Sequence, residues 1–331
     1  MTDGNGESSG AVDAGPGPVN GAGDSTTATE SSTPESNEAQ VSPVQSADTA
    51  ASEAPVRPPS RPVGIVSDLH ANAAALLAVQ RDMRKRKIRE VWCLGDLVGY
   101  GPHVSAVMSV ILRNRSRWTH VAGNHDDYIV RVHRGETTVD DIKASRNARA
   151  AIRRQIEQLD DDELERIVLF LEGLPKTARP RDDVLLVHPK DASLPIYPGS
   201  DLVENHILGR QEHQAMRAYA DVPEGRLIVL RGHTHRPVCF LKGEDGWYDA
   251  GAEEGVIELQ GRDAWINPGS VGESRVKGDP RAFYAVYDPG ADTVEFIRLK
   301  YAAEAVGREC ERVDIPVRPA WRTPKPVTVD A

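Results

Sequence analysis

The stretch Pro62-Val63-Gly64-Ile65-Val66-Ser67-Asp68-Leu69-His70 places a carboxylate and an imidazole directly after a short apolar run. Such a run predicts a buried β-strand, because its side chains suit a sheet that is covered on both faces. Two further stretches repeat the arrangement: Val91-Trp92-Cys93-Leu94 leads into Gly95-Asp96, and Trp118 to Val121 leads into Gly123-Asn124-His125-Asp126. The sequence therefore predicts three strands, each followed by polar residues.

Helical patterns separate these strands. Asn72 can cap a helix that carries Leu76, Val79 and Met83, and apolar residues are spaced three and four apart from about Val104 to Leu112. Alternation of strands and helices implies parallel strands joined by right-handed crossovers. Ligands of such sheets bind beyond the carboxyl ends of the strands, which is where the polar residues fall.

Two later segments have the same character. Val187-His188 ends a predicted strand that begins at Asp183, and Gly232-His233-Thr234-His235 follows a predicted strand from Leu227 to Leu230. Carboxylate, imidazole and amide groups of this kind are what a pair of divalent metal ions needs. The five segments together indicate metal-assisted hydrolysis of a phosphate ester.

The remaining pattern completes an α/β chain. Residues 138–173 look helical in two segments, and the acidic run Asp160 to Glu163 is typical of the N-terminus of the second. A polar helix is predicted from Gln211 to Ala220, short strands with turns continue to about Lys300, and a closing helix is predicted from Tyr301 to Arg312. We expect one domain over residues 59–312 and an irregular tail over residues 313–331.

Residues 1–58 are predicted to form a disordered acidic low-complexity tail. The first 56 residues contain nine acidic residues and neither Lys nor Arg, and they are too poor in large apolar residues to offset chain entropy. The formal net charge of −10 therefore belongs almost entirely to this tail, and the rest of the chain is near neutral. A near-neutral domain gives no strong signal for a nucleic-acid partner or a basic membrane-binding surface.

Other features of the sequence predict a cytoplasmic protein. The N-terminus has no basic start followed by an apolar run, and no segment reaches the roughly 18 apolar residues of a membrane span. The three isolated cysteines, Cys93, Cys239 and Cys310, form no CxxC pair and fit reduced thiols. The sequence leaves the oligomeric state open.

The five segments resemble the calcineurin-like metallophosphoesterase superfamily, whose pattern is DxH, GDxxG, GNH[DE], a single His and GHxH. The resemblance covers about residues 62–300. Cys93 to Pro102 and Asn267 to Gly272 are similar to a bacterial and archaeal branch described as predicted phosphodiesterases. The resemblance implies two mixed β-sheets packed face to face and flanked by helices, a four-layer sandwich.

The resemblance also implies roles for individual residues. A hydroxide held between two metal ions would attack the phosphate in line, His125 would act as general acid, and Asp126 would orient and charge the His125 imidazole. Asp96 would bridge the two ions. The remaining implied ligands are Asp68, His70 and His235 for one ion, and Asn124, His188 and His233 for the other.

The mixed nitrogen and oxygen ligands favour a transition metal. They suit Mn²⁺, Fe²⁺, Zn²⁺ or Ni²⁺ better than Ca²⁺ or Mg²⁺. We expect two divalent ions, with Mn²⁺ as the first candidate. The sequence does not choose among the four metals.

Residues beside the five segments leave the substrate open. Gly99-Tyr100-Gly101 stands where serine/threonine protein phosphatases and symmetrical dinucleoside tetraphosphatases have an Arg, which argues against both activities. Tyr100 can line the pocket or pack on its rim, and Arg275 can contact a phosphate oxygen or form a surface ion pair. Pro189-Lys190 departs from the branch pattern, and Lys190 can reach a substrate phosphate or be solvated.

Three functions remain open at this point. The first is a phosphodiesterase, and the second is a phosphomonoesterase or protein phosphatase that uses the same site. The third is a metal-binding scaffold without turnover. The complete ligand pattern and the accompanying His125 favour an enzyme.

Overall fold

A computed structural model describes residues 61–189 and 224–322 of the chain. The predicted first strand is β1 (Val63–Val66), and it pairs in parallel with the second predicted strand, β2 (Val91–Cys93). The third, β3 (Trp118–His120), pairs in parallel with β2. The polar segments after these three strands therefore meet at one edge of the sheet.

Nine further strands lie within the described residues. They are β4 (Thr177–Arg181), β5 (Val184–Val187), β6 (Ile228–Arg231), β7 (Val238–Gly243), β8 (Gly246–Asp249), β9 (Gly255–Glu258), β10 (Ala264–Asn267), β11 (Ala282–Asp288) and β12 (Thr293–Leu299). The strands of the described ranges form two six-stranded mixed sheets. The first has the order β3-β2-β1-β11-β12-β9, and its β11 runs antiparallel to β1. The second has the order β4-β5-β6-β10-β7-β8, and its β5, β6 and β10 are parallel to one another.

Helices flank the sheets and connect the strands. Asn72 caps the first helix as predicted, because its side chain accepts a hydrogen bond from the Ala75 amide. None of the helices in the described ranges is long and apolar enough to cross a membrane. The helices are α1 (Ala73–Lys85), α2 (Val104–Asn114), α3 (Asn124–His133), α4 (Arg146–Glu157), α5 (Asp161–Glu172) and α6 (Ala303–Arg312).

Alternate residues of β1 face the two halves of the core. Val63 and Ile65 belong to the apolar cluster between the sheets, together with Leu186 and Leu230 of the second sheet. Val66 belongs to the cluster on the helical side. Burial on both faces explains why the strand reads as a continuous apolar run. The predicted fold class, two mixed sheets packed together with flanking helices, is confirmed.

Several local predictions need correction or fall outside the described residues. The sequence pattern did not indicate α3 or β4. Residues 138–173 were predicted to be helical from their start, but α4 begins only at Arg146, where Ser145 caps it by accepting from the Ala148 amide. The predicted acidic tail and the helix predicted from Gln211 to Ala220 lie outside the described residues.

The segment after α6 packs onto the domain, although the sequence predicted an irregular tail there. Ile315 and Trp321 are buried, and Pro319–Trp321 forms one 3₁₀ turn. The Trp321 indole N–H donates to the Gly272 carbonyl at 3.0 Å and to the Tyr301 hydroxyl at 3.1 Å. This contact connects the end of the described chain to the loop after β10.

We expect Trp321→Ala to lower the free energy of unfolding by about 3–5 kcal/mol, because it leaves a cavity and a carbonyl without its indole partner. Urea denaturation of the full chain measures the change. Arg322→Ala is the control, since Arg322 is exposed and its loss should cost no more than about 0.5 kcal/mol. Equal midpoints for the two variants would show that the indole does not stabilise the domain.

Candidate metal centre

The five polar segments meet at the carboxyl ends of the parallel strands of both sheets. Asp68 and His70 follow β1, and Asp96 follows β2. Asn124 starts α3 just beyond β3, His188 follows β5, and His233 and His235 follow β6. All seven predicted metal ligands therefore lie together in the structure, and His233 is the most exposed of them.

One group of ligand atoms comes from Asp68, His70, Asp96 and His235, and these atoms all lie within 4.8 Å of one another. The Nε2 atoms of His70 and His235 are 2.9 Å apart. The His235 Nε2 is 3.3 Å from an Asp68 oxygen, and the His70 Nε2 is 3.7 Å from an Asp96 oxygen. Two nitrogens and two carboxylates thus surround a single point.

A second group consists of Asp96, His188 and His233, again within 4.8 Å of one another. The Asn124 amide oxygen joins them, at 3.2 Å from the His188 Nε2 and 2.7 Å from the His233 Nδ1. Asp96 is common to both groups, and its Oδ2 lies 3.4 Å from the His188 Nε2. The shared carboxylate makes the two groups one continuous cluster.

Three of the imidazoles are oriented by a hydrogen bond at the ring nitrogen that faces away from the cluster. The Nδ1 atoms of His70, His188 and His235 face the carbonyl oxygens of residues 98, 94 and 273 at 3.0, 2.6 and 2.6 Å. A carbonyl only accepts, so each Nδ1 carries a proton, and the Nε2 points its lone pair into the cluster whenever the ring is neutral. In that state the lone pairs of His70 and His235 face each other, and a cation between them would remove their repulsion.

The pKa values of the cluster residues depend on the charges of their neighbours in the cluster. Burial alone would raise the pKa of Asp68, but the neighbouring imidazoles, His235 foremost, hold it well below its usual value. Burial opposes charge on His188 as well, yet the Asp96 and Asp68 carboxylates raise the pKa of His188 to about 9. Without a metal ion, a proton on His188 therefore supplies positive charge that the carboxylates require.

Five of the seven cluster residues have a left-handed backbone conformation, which is uncommon for residues other than glycine. Such a conformation costs about 1–3 kcal/mol per residue and persists only where the surrounding structure imposes it. These residues lie in the turns after β1, β2 and β6. The residues and their φ angles are Asp68 (53°), His70 (44°), Asp96 (54°), His233 (81°) and His235 (60°).

A family model described as the calcineurin-like phosphoesterase superfamily domain matches residues 62–291, which is more than half of the chain. The chain belongs to this superfamily. The resemblance seen in the sequence is thereby confirmed. The cluster of His and Asp residues that can bind metal lies within the matched range.

The chain is also similar to individual proteins of known sequence or structure. The chain is 28% identical to an uncharacterized protein of Methanocaldococcus jannaschii over 245 residues, which cover 72% of the chain and 87% of that protein. A crystal structure of a metallophosphoesterase from Sphaerobacter thermophilus matches with 26% identity and a TM-score of 0.57, covering 78% of this chain and 96% of that one. A hypothetical protein from Pyrococcus horikoshii, at 16% identity and a TM-score of 0.56, covers 77% and 94% and shares the fold.

Asp126 does not have the role that the sequence suggested within the GNHD segment. Its fully buried carboxylate accepts four backbone N–H groups, those of Gly123, Asp96, Leu97 and Val98, at 2.9–3.3 Å. The expected pairing with the His125 ring is wrong, because adjacent residues on a helix point about 100° apart. Asp126 instead fastens the loop after β2 to the start of α3.

His125 lies beside the cluster without belonging to it. Its backbone N–H donates to an Asp96 carboxylate oxygen at 2.8 Å, and its ring centre is 4.9 Å from that of His70 and 4.6 Å from that of Tyr100. The ring also packs against Gly99, where a Cβ atom would lie 2.1 Å from its Nδ1. Glycine at position 99 is thus required for the imidazole to occupy this place.

Two of the three residues predicted to contact substrate line the cleft, and the third is not among the described residues. Tyr100 lines the cleft over the cluster, and the Arg318 guanidinium covers its ring at 4.5 Å from the ring centre. Arg275 lines the same cleft and also forms an ion pair, 3.4 Å from a Glu273 oxygen. Lys190 lies outside the described residues.

Two supporting residues were missed in the sequence. The buried side chain of Gln155 accepts from the Gly99 amide and donates to the Gly101 carbonyl, at 2.8 and 2.6 Å, and so fixes the loop that carries Tyr100. The sequence could have indicated Gln155, because it is the one polar residue on the otherwise apolar buried face of α4. Glu273, 2.8 Å from the His235 Nδ1, had no comparable signal in its local sequence.

We expect Asp126→Asn to weaken metal binding and lower the free energy of unfolding by about 2–4 kcal/mol, because one –NH₂ group would face backbone N–H groups that need an acceptor. Metal titration and urea denaturation measure the two effects. Asp127→Asn, the adjacent change of the same charge, is the control and should alter both less. Unchanged metal affinity in Asp126→Asn would contradict the role of this carboxylate as the fastening between the loops.

Metal affinity should rise with pH up to about 9, because a proton on His188 must leave before its Nε2 can bind a cation. His188 alone would contribute about tenfold per pH unit below that value. Calorimetric titration with Mn²⁺ in buffers of different ionisation enthalpy measures the released protons directly. An affinity that does not change with pH, and no proton release, would contradict this expectation.

Proposed function

We propose that this member of the calcineurin-like superfamily is a dinuclear metal-dependent phosphoesterase that acts on phosphodiesters. The observation that carries the proposal is the Asp96 carboxylate, which belongs to both groups of ligand atoms. A shared carboxylate suits two ions about 3.5–4 Å apart, the arrangement used for in-line phosphoryl chemistry. Asp68, His70 and His235 would complete one site, and Asn124, His188 and His233 the other.

Bound divalent ions would lower the pKa of a coordinated water and neutralise charge on the phosphoryl oxygens. The chain itself supplies the proton donor. His125 is held at the cluster by its backbone bond to Asp96, with its ring outside both ligand groups. As water adds its oxygen to phosphorus, the ester P–O bond breaks and the leaving oxygen takes a proton from His125.

The electrostatics of His125 support this role once substrate is bound. Burial, which outweighs the attraction of Asp96, lowers the pKa of His125 to about 4. A bound phosphate ester brings negative charge next to the ring and favours its protonated form. This negative charge acts on the pKa of His125 in the direction that a general acid requires.

The choice of metal and of cellular location is part of the proposal. The cluster combines imidazole nitrogens with carboxylate and amide oxygens, which supports Mn²⁺, Fe²⁺, Zn²⁺ or Ni²⁺, with Mn²⁺ as the first candidate. A cytoplasmic location is supported by the three cysteines, which are buried free thiols.

The proposed preference for diesters is based on the resemblance to the branch of predicted phosphodiesterases. Comparison of a diester with a monoester substrate tests it. The Mn²⁺-loaded protein should have a higher kcat/KM for bis-p-nitrophenyl phosphate than for p-nitrophenyl phosphate. The reverse order would identify a phosphomonoesterase. Full metal occupancy without hydrolysis of any phosphate ester would identify a metal-binding scaffold.

We expect His125→Ala to lower kcat by about 10²–10⁴-fold while metal content stays unchanged, because the ring donates a proton and binds no ion. The loss should be greater for phenyl phenylphosphonate than for p-nitrophenyl phenylphosphonate, since the poorer leaving group depends more on protonation. Steady-state kinetics with both esters and metal analysis of the purified variant make the measurement.

His133→Ala is the matched control for His125→Ala. It makes the same change in the same helix, but His133 pairs with Glu165 at 2.8 Å and lies outside the cluster. Its activity should stay within about twofold of the unmodified chain. Equal losses for the two esters in His125→Ala would show that His125 does not protonate the leaving oxygen.

A further inference from the structure

The cleft over the metal cluster has a second wall that the ligands do not form. This cleft, of about 210 Å³, is bounded on one side by cluster residues together with His125, Tyr100 and Arg275. The other side comes from α3 and from the segment that enters α4. The residues of this second wall are Tyr128, Lys143, Ala144, Ser145 and Ala148.

Hydrogen bonds hold the second wall in place. The Tyr128 hydroxyl donates to the Lys143 carbonyl at 2.8 Å, which ties the segment before α4 to α3. Two residues further on, Ser145 caps α4 through the Ala148 amide at 3.2 Å. The backbone of Lys143 is therefore fixed beside the cleft, although its side chain is exposed to solvent.

Lys143 brings a positive charge to this wall. Within residues 61–189 and 224–322, no carboxylate lies within 4.0 Å of its ammonium group, whereas Arg275, which also lines the cleft, is paired with Glu273. The neighbouring acidic residue Asp140 is paired with Arg153 at 2.9 Å. The ammonium of Lys143 is thus available for an anion that enters the cleft.

The position of Lys143 relates it to one end of the substrate. Tyr128 follows His125 by three residues on α3, so the two rings lie on the same face of the helix, with centres 5.8 Å apart. If His125 protonates the leaving oxygen, a leaving group that extends along the Tyr128 ring approaches the part of the cleft that Lys143 lines. Arg275 lies instead beside His235, at the side of the phosphoryl group and the metals.

We propose that Lys143 is a specificity-determining residue that binds an anionic group on the leaving alcohol or phenol. The substrate class is then a phosphate ester whose leaving group carries a second negative charge, a carboxylate or a further phosphate, next to a part that packs on the Tyr128 ring. This inference rests on the proposed function, because it uses His125 as the donor to the leaving oxygen.

Two synthetic esters test the inference without ambiguity about which bond breaks. Phenyl phenylphosphonate and 4-carboxyphenyl phenylphosphonate each contain one ester bond and differ only in a carboxylate on the leaving group. The measured quantity is the ratio of kcat/KM for the carboxylated ester to kcat/KM for the plain one. Comparison of this ratio between variants cancels the intrinsic reactivity of the two phenols.

Lys143→Gln should lower this ratio by about two- to fivefold, the range for a solvent-accessible charge pair, and leave kcat/KM for the plain ester within twofold. Lys143→Arg should retain the ratio, and Lys143→Glu should lower it further. The difference between Lys143→Gln and the unmodified chain should shrink at high salt, because solvent-exposed charges are screened.

Lys85→Gln is the control for the same change of charge. Lys85 is the last residue of α1, which starts next to the cleft and ends about 20 Å away along its axis. The ratio in this variant should equal that of the unmodified chain. A fall of the same size in Lys85→Gln would assign the effect to overall charge and overturn the inference.

The outcomes separate this inference from the proposed function. A ratio that stays unchanged in Lys143→Gln and Lys143→Glu, or an equal loss for both esters, overturns the role of Lys143 and leaves the phosphoesterase standing. No hydrolysis of either ester or of bis-p-nitrophenyl phosphate by the metal-loaded chain overturns both.

Discussion

The arrangement of the site depends on the backbone hydrogen bonds that the buried Asp126 carboxylate accepts. This carboxylate accepts N–H groups from the loop after β2 and from the residue before α3, and so joins two loops that the chain supplies 27 residues apart, from Asp96 to Gly123. Asp96 lies in the first of these loops, and Asn124 directly follows the second as the first residue of α3. Because the two residues contribute to the same cluster, its geometry follows from this one buried acid more than from any single pair of ligands.

The sequence alone predicted the fold class and the residues that gather at the sheet edge. The second prediction follows from local pattern, since an apolar run identifies a buried strand and ligands bind beyond the ends of parallel strands, whereas the two-sheet fold class was implied by the resemblance to the calcineurin-like superfamily. Asp68 and Asp96 illustrate this, because each follows its strand directly and both lie in the cluster. Local order along the chain was sufficient for that inference.

The roles that depend on distant partners were not predictable in this way. Asp126 and His125 are neighbours in sequence, which suggested a pair, but the helix that begins at Asn124 turns their side chains apart. Trp321 follows a proline-rich stretch that looked irregular, yet its indole reaches the Gly272 carbonyl, 49 residues away in sequence. Such contacts depend on how the sheets pack, and no sequence window around either residue contains that information.

The left-handed backbone of the cluster residues ties the fold to the side chains at these positions. Glycine would occupy those φ angles with less backbone strain, but losing the buried side chain of Asp68 or His235 would leave a cavity and remove the acceptor of the His233 amide or the partner of the Glu273 carbonyl. The backbone strain of these turns is thus opposed by contacts that only the present side chains make. The residues that gather at the cluster therefore also hold the turns that carry them.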